Sequence, residues 1–238
     1  MRVLDRTVGV RKGPAHSCPI CLRLLVVGCA LLWSLPGCAG DPATVAFSLV
    51  FPGSDPESYA ITVHSDGHAK YECTGKISSD SDDTETYQTD FNISDATRMR
   101  VFDLAAQAHY FAGKIDSGNH KLAFTGAKKL TYADGQRNFT ADYNFSPVPA
   151  VQQLTALFQG VAATLEFGRR LAYYHHYQKL ALDDELKRME TLARTGELME
   201  LQAAKPVLQE IYGDPSVINV VRARAERIME MSQGAPRR

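Results

Sequence analysis

Cysteine is scarce where it would count. The 238-residue chain holds five, and only Cys38 and Cys73 lie beyond position 37, so a disulfide-dense scaffold is excluded. An excess of positive charge is missing too. Lys and Arg number 26 against 27 Asp and Glu, which leaves no cation surplus for a phosphate backbone and argues against nucleic acid as a partner. The apolar stretch Leu24 to Leu35 is twelve residues long, short of the roughly 20 that a membrane-spanning helix needs. There is no G-x-S-x-G elbow, H-E-x-x-H pair, Walker loop, G-x-G-x-x-G turn after a strand or spaced Cys/His set. No motif names a reaction or a cofactor. What is present is 45% hydrophobic residues, enough for the core of one large or two small globular domains.

The first 37 residues read as a targeting segment. Arg2, Arg6, Arg11, Lys12 and Arg23 form a basic start opposed only by Asp5, and the apolar stretch follows. That order and length suit a signal peptide. The segment closes on Leu35-Pro36-Gly37-Cys38, which resembles the lipobox of bacterial lipoprotein precursors. The resemblance covers the leader alone. It implies that the Cys38 sulfur carries lipid, that residues 1–37 are removed and that Cys38 becomes an acylated N-terminus. Such an anchor would hold the chain on a membrane durably. Ala39 after the lipid-bearing cysteine, by the sorting rule of that family, implies the outer membrane of the cell envelope. Cys18-Pro19-Ile20-Cys21 has redox or metal spacing but falls in the leader.

Removing the leader changes the charge balance. Residues 38–238 carry a net charge of −5, with residues 38–145 at −6 and residues 146–238 at +1. Pattern divides them in the same way. Strand-like runs cover Thr44–Phe51, Ser58–His64, His68–Cys73, Thr84–Asp90, Lys121–Ala133 and Gln136–Phe145, with Asp66-Gly67 and Asp134-Gly135 as hairpin turns. A three-residue loop Ser65-Asp66-Gly67 is expected, because opposing His64 to His68 puts Tyr59, Ile61, Val63, Ala69, Tyr71 and Cys73 on one face. At Asp134-Gly135 a two-residue turn pairing Leu130 with Phe139 is expected. Ser94 caps a helix reaching about His109. From Pro149 the pattern is helical. The first helix is expected to break near Gly160 or Gly168, the next to span Arg169–Arg194 and end at Gly196, and a third to cover Glu197–Tyr212 around Pro206. Asp214-Pro215 reads as the start of a last helix with Ile218, Val221, Ala225 and Ile228 on its apolar stripe.

The expected class is therefore α+β: an antiparallel sheet built from hairpins with covering helices over 38–167, then a helical region over 168–238. Phe91, Phe102 and Phe111 against Phe145, Phe158 and Phe167 hint at two β-β-α units. One sheet with unrelated helices is the alternative.

Each candidate for chemistry has a plain structural competitor. Cys73 could be a nucleophile if a base stood beside it; otherwise it is a small buried hydrophobe. His64 and His68 face each other across the hairpin and could supply two metal ligands, fewer than zinc takes. Asp80, Asp82, Asp83 and Glu85 are acidic but lack calcium-loop spacing. Arg170, Tyr173, Tyr174 and Tyr177 share one side of a helix beside His175 and His176, an aromatic-basic patch suited to a protein partner.

Three functions stay open on sequence. The first is a non-enzymatic binding or assembly module of the envelope, held by its lipid anchor. The second is a hydrolase or thiol enzyme using Cys73 or a histidine, and the third a structural or stress-related surface protein.

Overall fold

Alternation makes the first strand. In Thr44–Val50 (β1), Val45, Phe47 and Leu49 turn to one face and are buried, while Ala46 and Ser48 turn to the other, the two-residue period of a half-covered sheet. Ser58–His64 (β2), His68–Gly75 (β3), Glu85–Asn92 (β4), Ala127–Ala133 (β5) and Asn138–Tyr143 (β6) follow. In the computed structural model, which describes residues 42–78 and 83–233, these strands form one antiparallel sheet in the order β4-β3-β2-β1-β5-β6. One helix, Asp95–Gln107 (α1), lies between β4 and β5, and four follow β6. The α+β class expected from the sequence is the observed one. The leader with Cys38, and Asp80 and Asp82 of the acidic loop, lie outside the described residues.

Register at the first hairpin is the expected one. Val63 opposes Ala69 and Tyr59 opposes Cys73. Gly67 takes a left-handed φ of +97° and donates its N–H to the His64 carbonyl at 3.0 Å. The second hairpin differs. Leu130 pairs with Ala141 and Tyr132 with Phe139, two residues away from the expected register. The cause is Asp134, which belongs to the ladder rather than the turn. Its backbone N–H reaches the Arg137 carbonyl, and its carboxylate accepts the N–H groups of Gln136 and Arg137 at 2.8 and 2.6 Å. The loop is thus Gly135-Gln136. The strand expected over Lys121–Ala133 begins only at Ala127, because Gly126 holds a φ of +98° that ends the extended backbone.

Ser94 caps α1 by accepting the Thr97 N–H at 3.3 Å. The helix stops at Gln107, short of His109, and His109, Tyr110 and Phe111 form a left-handed turn. This buries Phe111 and stacks Tyr110 on Tyr132 at 4.6 Å, beneath Arg137.

Helix α2 (Pro149–Tyr177) runs unbroken for 29 residues, where a break at Gly160 or Gly168 was expected. Gly160 serves close packing instead. A Cβ there would lie 2.8 Å from the Glu197 carbonyl oxygen and from Met199 Cγ. The break comes at Gln178, after which α3 (Leu182–Thr195) ends on Gly196 in the left-handed conformation. Pro206 opens α4 (Lys205–Gly213) as a first-turn residue. The last helix, α5 (Asn219–Ser232), starts five residues beyond Asp214 rather than at it. Asp214 instead closes a turn by accepting the Ser216 N–H at 2.9 Å, which leaves Ile218 exposed while Val221, Ala225 and Ile228 are buried.

Two apolar clusters result, and α2 serves both. Its residues Ala150 to Leu165 pack with α1 on the inner sheet face, where Phe158 stacks on Phe47 at 5.4 Å. Phe167, Leu171 and Tyr174 pack with α3, α4 and α5. The two phenylalanine series do not occupy matching places. Phe111 and Phe158 are buried in the sheet cluster, Phe167 in the helical one, and Phe145 is exposed. Four strands, β1 to β4, also precede α1, against two, β5 and β6, before α2.

Candidate functional site

Two adjoining hollows follow one side of α2. The first, about 340 Å³, lies between Lys128, Tyr143 and Phe145 on the sheet side and Gln152, Thr155 and Gln159 on the helix. The second, about 400 Å³, shares Thr125 and Gln159 with it and extends to Phe51, Tyr59, Glu166, Arg170 and Arg188.

The segment between α1 and β5 forms the rim. Asn144 holds it: its side-chain oxygen accepts the Thr125 N–H at 3.0 Å, and its amide donates to the Ala123 carbonyl at 3.0 Å. Asp116 accepts the N–H groups of Gly118 and Asn144, and these bonds, that of Gly118 foremost, hold its carboxyl below the usual range. The result presents Phe124, 57% exposed, edge-on to Phe51, 38% exposed, at 5.9 Å, with Phe145, 45% exposed, at the same end of the sheet. Exposed large apolar side chains gathered in one place mark interaction sites more often than scattered ones do.

Lys128 sits under this rim and is buried. Its ammonium donates to the Thr125 and Asn144 carbonyls at 3.0 Å, to Thr125 Oγ1 at 2.8 Å and to the Gly126 carbonyl at 3.3 Å. All four oxygens are neutral, and no Asp or Glu lines the first hollow. Burial pulls the ammonium below its ordinary range, as desolvation of an uncompensated cation should.

Beneath the second hollow runs a chain of charges. Tyr71 donates its phenol to Glu166 Oε1 at 2.7 Å, and Arg169 pairs with Glu166 Oε2 at 3.1 Å. Arg170 lies 3.7 Å from Glu166 and 2.6 Å from Glu185, which Arg188 meets at 3.2 Å. Glu166, Arg169 and Glu185 are all buried. This joins the sheet to α3 through α2.

The expected partner-binding patch is divided by this arrangement. Arg170 is turned inward to Glu166 and Glu185, and Tyr174 is buried. Tyr173 is half-buried and stacks on Tyr177 at 5.1 Å, and Tyr177 is 69% exposed. The three tyrosines stay together at the end of α2; Arg170 does not present its charge beside them. His175 bonds Asp214 at 2.9 Å. Lys179 meets Asp214 at 2.6 Å and Ser216 at 2.5 Å. That places a lysine on a serine hydroxyl, but the Asp214 carboxylate, held well below its usual range by Lys179 first and then by Ser216, keeps the amine engaged as an ion pair.

Cys73 is buried, and its thiol is pushed up to about 12, by burial first and then by the Glu166 charge. Its charged neighbours are Glu166 and Arg169, with the neutral Tyr71 phenol beside them, and not a histidine. A thiol in that setting is inert. His64 and His68 do face each other, with ring centroids 5.7 Å apart, and His68 leans toward Asp90 at 3.9 Å. Among the described residues no group of three His, Cys, Asp or Glu is placed to hold a metal ion. None of their helices is long and apolar enough to cross a membrane.

Sequence reasoning missed Lys128, Phe124, Phe145 and Gln159. One signal was in view: Lys128 takes an inward position of β5 in the strand alternation, where a lysine is out of place. Comparison with known protein families and with characterised protein sequences finds no match to this chain.

Proposed function

We propose that the chain is a lipid-anchored, non-enzymatic binding module of the bacterial cell envelope, whose site is the groove along α2. The observation that carries the binding reading is the groove itself. It joins exposed aromatic rings to hydrogen-bonding side chains, while the thiol and the polar pairs that could do chemistry are buried or ion-paired. The lipobox supports the anchor. The location expected from Ala39 is the outer membrane.

The test is Cys38→Ala in a Gram-negative host with labelled palmitate. The wild-type chain is expected in the membrane fraction with label, and the variant unlabelled, unprocessed and released from the membrane. Equal labelling, processing and fractionation of both would overturn the anchor.

A further inference from the structure

The geometry points to the groove along α2 as a site for an extended peptide segment of a partner protein that carries a carboxylate, seated at the Lys128 end. This deepens the binding-module reading and rests on it, but it does not require the lipid anchor.

Three observations converge. Lys128 is a buried cation whose hydrogen bonds are complete, with four neutral oxygens for three protons, yet whose charge is unmatched, since no acid lines the hollow. An anion in the hollow would supply what the chain does not. The walls also suit a peptide better than an acyl chain. Gln159 lines both hollows, and its amide has no hydrogen-bond partner among the described residues. A hydrocarbon laid over such groups would strip them of water and return nothing, whereas a peptide backbone offers donors and acceptors along its length. Finally, the size fits. From Gln152 to Arg170 the helix rises about 27 Å at 1.5 Å per residue, the span of about eight extended residues. Phe145 in the first hollow and Phe51 and Tyr59 in the second give its apolar side chains a wall to pack on, with Phe124 backing Phe51 from outside.

The experiment uses the purified full-length chain, immobilised and offered a random octapeptide library made without Asp or Glu in its amidated half, the other half having free C-terminal carboxylates. Bound peptides are counted by mass spectrometry against a blank support. Carboxylate-bearing, apolar peptides are expected to be enriched about tenfold over their neutral counterparts. Lys128→Met should abolish the preference. Because Lys128 also pins the rim, Gln159→Glu serves as the second variant: it lies on the exposed side of α2 and puts a carboxylate into the hollow, so it should cut binding of acidic peptides with an unchanged circular dichroism spectrum. No enrichment over the blank, equal recovery of acids and amides, or enrichment that survives Gln159→Glu would each overturn the proposal. Displacement of recovered peptides by dodecanoate with no acid preference would assign the groove to lipid and overturn it too. Since the anchor is read by Cys38→Ala in cells, either idea can fail without the other.

Discussion

Glu166 accepts the Tyr71 phenol on one oxygen and Arg169 on the other, and all three side chains are buried, so Glu166 is the partner both others share. Removing one partner leaves a buried charge or a lone acceptor, which costs more than the intact contact contributes. Tyr71→Phe takes away one neutral donor and should cost about 1–3 kcal/mol. Glu166→Ala strands the Arg169 guanidinium and should cost about 3–5 kcal/mol. Urea titration monitored by circular dichroism reads both, and a Glu166→Ala loss no larger than that of Tyr71→Phe would show that Arg169 finds other solvation. Cys73 titrates in the same neighbourhood. Its thiol rises from about 9 to about 12 on folding, so the folded state keeps its proton where the unfolded state has lost it. Stability is untouched below about pH 9 and falls as pH climbs from there toward 12. Native alkylation by iodoacetamide should therefore stay slow through pH 9, with rapid labelling only in urea. Fast native labelling at pH 8 would return Cys73 to the list of nucleophiles.

Within α2 two glycines look alike in sequence and differ in the fold. A Cβ on Gly160 meets the Glu197 carbonyl and Met199 Cγ at 2.8 Å, whereas on Gly168 it meets Ala204 Cβ at an ordinary 3.8 Å. Alanine gains about 1 kcal/mol over glycine in a helix interior, and a forced contact costs about 1–3 kcal/mol. Gly168→Ala should therefore raise the Tm, and Gly160→Ala should lower it or leave it flat. Thermal melts of the two variants decide it; stabilisation by both would mean that the 197–199 segment shifts easily. The pair also shows what sequence could tell. Both glycines read as helix breakers, because the segment that presses on Gly160 lies some 40 residues away. Alternation set the β2–β3 register, since a slip by one residue would have turned apolar side chains to water. The β5–β6 register escaped, because a slip by two keeps every residue on its own face and only the Asp134 hydrogen bonds choose. The groove was least legible. Phe51, Phe124, Lys128, Phe145 and Gln159 come from four separate segments and meet only through the fold. Arg170 shares a helix side with the tyrosines by spacing, but its turn toward Glu166 and Glu185 depends on α3, which spacing does not reveal.

At the scale of the whole body, one helix belongs to two cores, and this bears on whether the sheet and the helical region are separate folding units. The sequence divides the body at position 167, and the two apolar clusters also change over there, with Leu165 in one and Phe167 in the other. Yet α2 passes through that point without interruption. The Glu166, Arg170 and Glu185 chain crosses it as well. So does Glu200, whose carboxylate accepts the Ser94 N–H at 2.8 Å and its hydroxyl at 2.7 Å, tying the helical region to the start of α1. A helix gains most of its stability from the face it buries, so melting either core would bare half of α2 and weaken the other half. Phe158→Ala in the sheet core and Leu186→Ala in the helical core should therefore each lower one shared transition, by about 3–5 and 2–5 kcal/mol. Helix content by far-UV circular dichroism and tyrosine packing by near-UV signal should fall together in both variants. Curves that separate, with Leu186→Ala losing helix while the sheet-side tyrosines Tyr71 and Tyr132 stay packed, would show two units that merely share a helix. The groove would then be the work of the sheet half, with Arg170 and Arg188 incidental to it.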